Sequence, residues 1–459
     1  MNQLILWKEW SQAFFGLRQA FSRQSTYLWA TIYCAGLAVR LNNRGVSSIV
    51  DALGLKSNAY DSLLRVCHST AINLDLLIAH WVKLCFRLFQ PMCIDGYMVL
   101  FGDGIKVGKE GKKMPAVKLM HQSSQSNSKA EYIMGHYLQA ISLAVVTPLG
   151  RVAAIPLLAK IHDGLVYTNR SNETVIHRFA KIIQEVSDAA KIPAIMVADA
   201  YYANRTMIDE MLAIGCHLVS RVAHNTVAYR PAPEPKKRRR GRPTKKGQKI
   251  LLKSLFGASK CNFGKFYYDS YDLFWPPAKR IIRFVICEHS SKGRIILMST
   301  KLDLDPVTII KLYEKRWLIE TGFKAAVHHI GTFAYHFWMK TMKPNGRKTK
   351  QYLHRESEEY REQIKRKMKS YHIHLALSCI TQGLLNHLAI NFKDQVWASF
   401  NGWLRTINDS IEPTEIIASR ALASTLPNYL KETKTKDGWS KFLLKNVDYE
   451  REGPAAKAA

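Results

Sequence analysis

The 459-residue chain is predicted to be an α/β protein with a mixed sheet flanked by helices. Three observations predict this class. Residues 97–101 (YMVLF) and 194–198 (AIMVA) are unbroken apolar runs, the pattern of strands covered on both faces. Between them, ETVIHRFAKIIQEVSDAAK repeats apolar residues at helical spacing. Residues 137–147 and 151–159 flank Pro148-Leu149-Gly150, a turn that lets two strands pair back on each other.

In chain order, residues 1–90 read as helices, with dense apolar positions and no strand alternation. Within them Arg44-Gly45-Val46-Ser47-Ser48 leads into IVDALGL, then a break at Lys56-Ser57-Asn58, then AYDSLLRVC. Two short helices across such a turn are either a DNA-reading helix-turn-helix or an ordinary helical hairpin. The strand at 97–101 is expected to end at Gly102-Asp103-Gly104, with further strands at 116–120, 137–147 and 151–159. Asn172 is expected to cap the following helix, and the strand at 194–198 ends at Asp199. A helix near 204–213 and a strand at 217–222 follow.

From 223 to 304 the character changes. Residues 230–249, RPAPEPKKRRRGRPTKKGQK, cannot form a packed core. Alternating runs then predict strands at 250–255, 265–271, 280–287 and 294–299. Residues 340–369 are highly charged and mostly helical in pattern, and 372–400 form a long apolar helical stretch that should pack on the sheet. The expected organisation is a helical DNA-end-binding region at 1–90, the core at 91–222 and 305–425, a basic β-rich insertion at 223–304, and a polar tail from 426.

Lys and Arg number 67 against 36 Asp and Glu, a net charge of +31. That excess favours a polyanionic partner, nucleic acid ahead of an anionic membrane. No run of 18 or more uncharged apolar residues predicts a spanning helix, and the N-terminus makes a poor signal peptide. Eight cysteines without a CxxC pair fit a reducing compartment and argue against structural zinc.

The chemistry centres on KLYEKRWLIETGFKAAVHHI, residues 311–330. It reads as one helix, with Asp305 as N-cap, Pro306 in the first turn and Gly331 as stop. At about 100° per residue, Tyr313, Arg316, Glu320, Lys324 and Val327 share an arc of roughly 80°. Ile309, Leu312, Ile319 and Phe323 remain for the core. Alone, the stripe could be a solvated face with a Glu320–Lys324 ion pair. Beside Asp103 and Asp199, each at a strand end, it supplies a third acid. Hard oxygen ligands with open positions suit two Mg²⁺ or Mn²⁺ ions, which serve phosphodiester chemistry when about 3.5–4 Å apart. An acid on the first strand, one on the fourth and one on a late helix is the arrangement of the ribonuclease H-like fold.

With these segments, the sequence resembles bacterial insertion-sequence transposases of the DDE type that carry a Tyr–Arg–Glu–Lys signature. The similar parts are GDGIKVGKEGKKMPAVKLMHQSS, AIMVADAYYAN, RRGRPTKKGQK and LMSTKLDLDPVTIIKLYEKRWLIETGF, within residues 90–410. The resemblance implies that Asp103, Asp199 and Glu320 bind metal, and that Tyr313 and Arg316 hold DNA backbone near the cleaved end. It implies double-stranded DNA partners, both transposon ends and target, a homodimer on DNA, and a cytoplasmic location on the nucleoid. The family's lysine, seven residues after the glutamate, is Val327 here; Lys324, one turn earlier, is the expected substitute. Lys236, Lys237, Arg240 and Arg242 are further DNA-binding candidates, the last two in an Arg-Gly-Arg-Pro core suited to A·T minor grooves. The alternatives are a catalytically impaired DNA-binding relative and a nuclease without strand transfer.

Other residues have structural readings beside functional ones. Asp95 and Asp209 read as turn and helix-surface residues. His136 is either a group that supports the site or a satisfied core histidine. Phe274 and Trp275 either stack on an unpaired base or belong to the β-rich core.

Overall fold

The computed structural model describes residues 4–42, 45–122, 131–162, 164–169, 173–232, 246–257, 261–291, 293–346, 350–433 and 438–450. They form two compact units, one from 1–91, 104–172 and 320–459, the other from 92–103 and 173–319. This division differs from the linear one expected from composition. The N-terminal helices are not a separate body, because residues far along the chain pack with them.

In the first unit the long helix Glu358–Asn391 is the hub. It packs on strand Val152–Ile161 and on helices Gln24–Val39, Ala59–His68, Leu74–Leu88 and Glu415–Thr433. Gly383 lets this happen: a Cβ there would meet the Trp81 ring at 2.2 Å. Trp81 in turn donates its indole N–H to the Pro156 carbonyl at 3.0 Å. By length and composition the long helix could cross a membrane, but 94% of its most apolar window is buried inside the protein. Strand Tyr132–Val146 pairs antiparallel with Val152–Ile161, with a register shift at Ile141/Ser142. Among the described residues of 340–369, α-helix begins only at Glu358, after a short 3-10 turn at Leu353–Arg355, so the stretch is not mostly α-helical as expected. Much of the preceding segment is held irregular by specific bonds. Asn345 donates its backbone N–H to the Lys112 carbonyl at 2.8 Å and its side-chain amide to the Met114 carbonyl at 2.9 Å, and Gln351 N–H donates to the Gly164 carbonyl at 3.0 Å.

His136 belongs to this core. It is fully buried, with Nδ1 2.8 Å from the Tyr335 hydroxyl and Nε2 2.8 Å from the Pro115 carbonyl. Burial pushes its pKa down to about 3. The satisfied-core reading is the right one.

In the second unit residues 98–102, Ala194–Ala198 and His217–Val222 run parallel. Strand Gly293–Ser299 then joins antiparallel to His217–Val222, followed outward by Arg280–His289 and Phe266–Trp275. The β-rich stretch is therefore the continuation of this sheet, not an appended module. Trp275 is buried edge-to-face on Phe284, so it is core. The helix after residue 172 starts at Val175, with Thr174 and His177 making a reciprocal cap; Asn172 lies outside the described residues.

Two further expectations change. Strand Tyr97–Gly108 does not stop at Gly102-Asp103-Gly104 but runs through it. The single helix of 311–330 is also interrupted. Helix Pro306–Lys315 has the expected Asp305 cap, accepting from Thr308 N–H at 2.9 Å. Then Arg316 N–H and Ile319 N–H bond three residues back, to Tyr313 and Arg316. Helix Leu318–Ala325 follows, then a wide π turn, Ala326–Ile330, closed by Gly331 at φ +71°. Tight and wide turns change the rotation per residue, so a uniform stripe from Tyr313 to Val327 does not form. The core assignments on it do hold: Ile309, Leu312 and Ile319 are buried, and Phe323 packs on Ala140, Ala159 and Cys379.

Candidate active site

Asp103 and Asp199 emerge side by side. The parallel pairing of residues 98–102 with Ala194–Ala198 ends at Gly102↔Ala198, and each aspartate is the next residue. Adjacent strands are about 4.8 Å apart, so both carboxylates leave one short stretch of sheet edge. Gly102 has a packing reason: a Cβ there would meet the Phe179 ring at 2.5 Å and Met196 sulfur at 2.7 Å.

Each aspartate is held. Arg316 Nη1 donates to Asp103 Oδ2 at 3.1 Å, both side chains being 18% exposed. Asp199 begins a short helical turn, its Oδ1 accepting from Tyr201 N–H at 3.0 Å. Its carbonyl accepts from the Ser220 hydroxyl at 2.7 Å. The Arg316 guanidinium lies 5.9 Å from the Tyr313 ring centre. Burial raises the Tyr313 pKa, while Arg316 and Arg221 pull it down and Asp199 pushes it up. Tyr313, Arg316, Arg221 and the two aspartates thus share one electrostatic neighbourhood in the second unit.

Sequence reasoning missed Ser220 and Arg221. Both lie on strand His217–Val222, whose alternation leaves Arg221 exposed among buried neighbours. A cation breaking an apolar strand was the available signal. Glu320 and Lys324 are exposed and belong to the first unit. Asp95 and Asp209 are structural, the former at a turn (φ 48°) paired to Lys301, the latter paired to Arg205 and Arg280. Lys236, Lys237, Arg240 and Arg242 lie outside the described residues.

A family model described as "DDE superfamily endonuclease" matches residues 16–255, just over half of the chain. The chain belongs to this family. Among curated proteins, none matches it. Two adjacent carboxylates thus stand beside cationic side chains in a chain of the DDE endonuclease family. The match includes Asp103 and Asp199 and ends before Tyr313, Arg316 and Glu320. Among the described residues, no group of three or more His, Cys, Asp and Glu side chains is arranged to hold a metal. The aspartate pair nevertheless has the donor chemistry that Mg²⁺ and Mn²⁺ take in this class: hard carboxylate oxygens with room for further ligands.

Proposed function

We propose that this chain is the transposase of a bacterial insertion sequence, cutting the ends of its element and joining the freed 3′-hydroxyl to target DNA. The reading is carried by one observation in a DDE endonuclease: Asp103 and Asp199 leave paired parallel strands together, with Arg316 bonded to the first. Asp103, Asp199 and Glu320 are the proposed ligands of two Mg²⁺ or Mn²⁺ ions. When bound, the ions would stabilise charge on the attacking and leaving oxygens of an in-line displacement. Ser220 and the Tyr201 N–H hold Asp199 in place, so its carboxylate need not reorganise. Arg316 and Tyr313 hold the phosphate at the cut, the guanidinium exchanging its bond to Asp103 for one to phosphate oxygen. Lys324 stands in for the lysine that Val327 replaces. Lys236, Lys237, Arg240 and Arg242 neutralise flanking phosphates, residues 1–90 engage the transposon end, and a homodimer holds two ends on the nucleoid.

The test is cleavage and joining of labelled transposon ends in Mg²⁺ by the wild type and by Asp103→Asn, Asp199→Asn and Glu320→Gln. Each variant should lose both reactions and keep DNA binding. Full cleavage by any one removes that residue from the site. Cleavage without joining by the wild type would leave a nuclease that performs no strand transfer.

A further inference from the structure

We propose that the cleft between the C-terminal end of helix Ala59–His68 and the second turn-pair of the long helix is a second DNA-backbone site, lined by none of the three acids. It rests on the transposase reading above for its partner. The cleft has a volume of about 300 Å³ and lies wholly within the first unit. Arg366, Lys367 and Lys369 line one wall, His68 and Thr70 the other.

The unusual feature is charge with little counter-charge. Lys367 Nζ lies 3.0 Å from His68 Nε2. An ammonium only donates, so Nε2 is the acceptor and His68 is neutral, its Nδ1–H donating to the Leu64 carbonyl at 3.1 Å. A lysine is thus bonded to another basic group rather than to an acid. Burial lowers the pKa of both, and Lys367 lowers that of His68 further. Among the described residues, no carboxylate lines the cleft. Glu362, the nearest acid upstream, is paired with Lys365 at 2.6 Å and exerts only a weaker pull on Arg366. From Gln363 to Asn391 the long helix carries no Asp or Glu at all.

A further competing attraction is the negative end of helix Ala59–His68. It amounts to about half an elementary charge. Two of its last carbonyls are also occupied, Leu64 by His68 and Val66 by Ser69 N–H. That offsets a fraction of three full positive charges. A polyanion supplies the rest. Three cations within four residues of one helix span about 4.5 Å of axis, the scale of neighbouring phosphates on a DNA strand. Arg366 and Lys369 are exposed, so a duplex can reach them without opening the fold.

The experiment uses the full chain. Affinity for a duplex transposon end is measured at several salt concentrations for the wild type and for Arg366→Gln/Lys367→Gln/Lys369→Gln. With about 0.9 counterions released per phosphate contact, the triple variant should flatten the slope of log affinity against log salt by about 2–3 units. The charge-keeping set Arg366→Lys/Lys367→Arg/Lys369→Arg should retain the wild-type slope. An unchanged slope in the Gln variant overturns the proposal. Should that variant fail to fold, lysine acetylation of the wild type decides: DNA must protect Lys367 and Lys369, and equal modification with and without DNA refutes the site. Protection by single-stranded RNA but not by duplex overturns the DNA assignment. A wild type that cuts transposon ends but shows no effect here loses only this inference. One that shows the slope change but cuts nothing loses only the catalytic reading.

Discussion

Replacing Arg316 with alanine should make the DNA-free protein bind divalent cations more tightly while making it a worse nuclease. The guanidinium donates to Asp103 Oδ2 at 3.1 Å, with both side chains only 18% exposed. A cation taking that oxygen must displace this bond. A hydrogen bond between charged partners contributes about 1.5–3 kcal/mol. Partial exposure and a single contact place this one near the lower end, about 1.5–2 kcal/mol, which corresponds to about 10–30-fold in a competing equilibrium. Arg316→Ala should therefore raise Mn²⁺ affinity by about that factor.

In the proposed mechanism, the same change removes a donor to the reacting phosphate. Loss of one such group costs about 10²–10³ in rate. Tighter metal and slower cleavage in one variant is a combination that general misfolding does not produce. Mn²⁺ titration followed by electron paramagnetic resonance reads the first effect, and single-turnover cleavage reads the second. The metal-dependent rise in melting temperature should also be larger in Arg316→Ala than in the wild type. Arg316→Lys, which keeps a point charge but loses the planar fork, should fall between them. Equal Mn²⁺ affinity in wild type and Arg316→Ala would refute the idea that this arginine and the metal compete for Asp103.

Lys324→Ala should weaken end binding or cleavage if it replaces the family's lysine, and Val327→Lys should be tolerated; a cleavage assay showing full activity in Lys324→Ala leaves it a surface residue. Deleting residues 236–249, which hold nine Lys or Arg, should flatten the salt dependence of DNA binding by about 3–5 units, and an unaltered slope would mean that they do not touch DNA. Melting temperature should fall as pH drops below about 6.5. His136 and His374 have pKa values pushed down by burial to about 3, and His372 and His387 to about 4. The unfolded chain protonates these near 6.5 and the folded one does not, so stability present above that pH is lost on acidification toward 3–4, about 1.4 kcal/mol per pH unit for each histidine. A flat profile would mean that these histidines do not stay neutral in the fold.

Much of the second unit was legible because each strand signal is local. Residues 194–198 and 217–222 form strands with the expected limits, and Asp305 and Gly331 begin and end their segment as read. What escaped was set by distant partners. The charged stretch 340–369 reads as helix by composition, yet Lys112 and Gly164, far earlier in the chain, accept the Asn345 and Gln351 N–H groups and tie that backbone into irregular structure. Likewise, the interruption at Arg316 leaves no mark in a pattern counted at a fixed angle.

The aspartates show most clearly where pattern reading stops. The sequence reading ends the strand at Gly102-Asp103-Gly104, and glycine is indeed poor strand material. The strand runs on past it to Gly108. What ends at that level is the neighbouring strand, at Ala198. The glycines answer to rings rather than to turns: Phe179 occupies the space beside Gly102, and the Tyr137 hydroxyl would lie 2.3 Å from a Cβ at Gly104. Asp103 is thereby fixed in extended backbone at the step where its partner strand turns away and leaves Asp199 exposed to the same edge. An acid carried on continuous strand is held more firmly than one in a loop, which is what a site requires when its ligands must not move as charge develops on the phosphate.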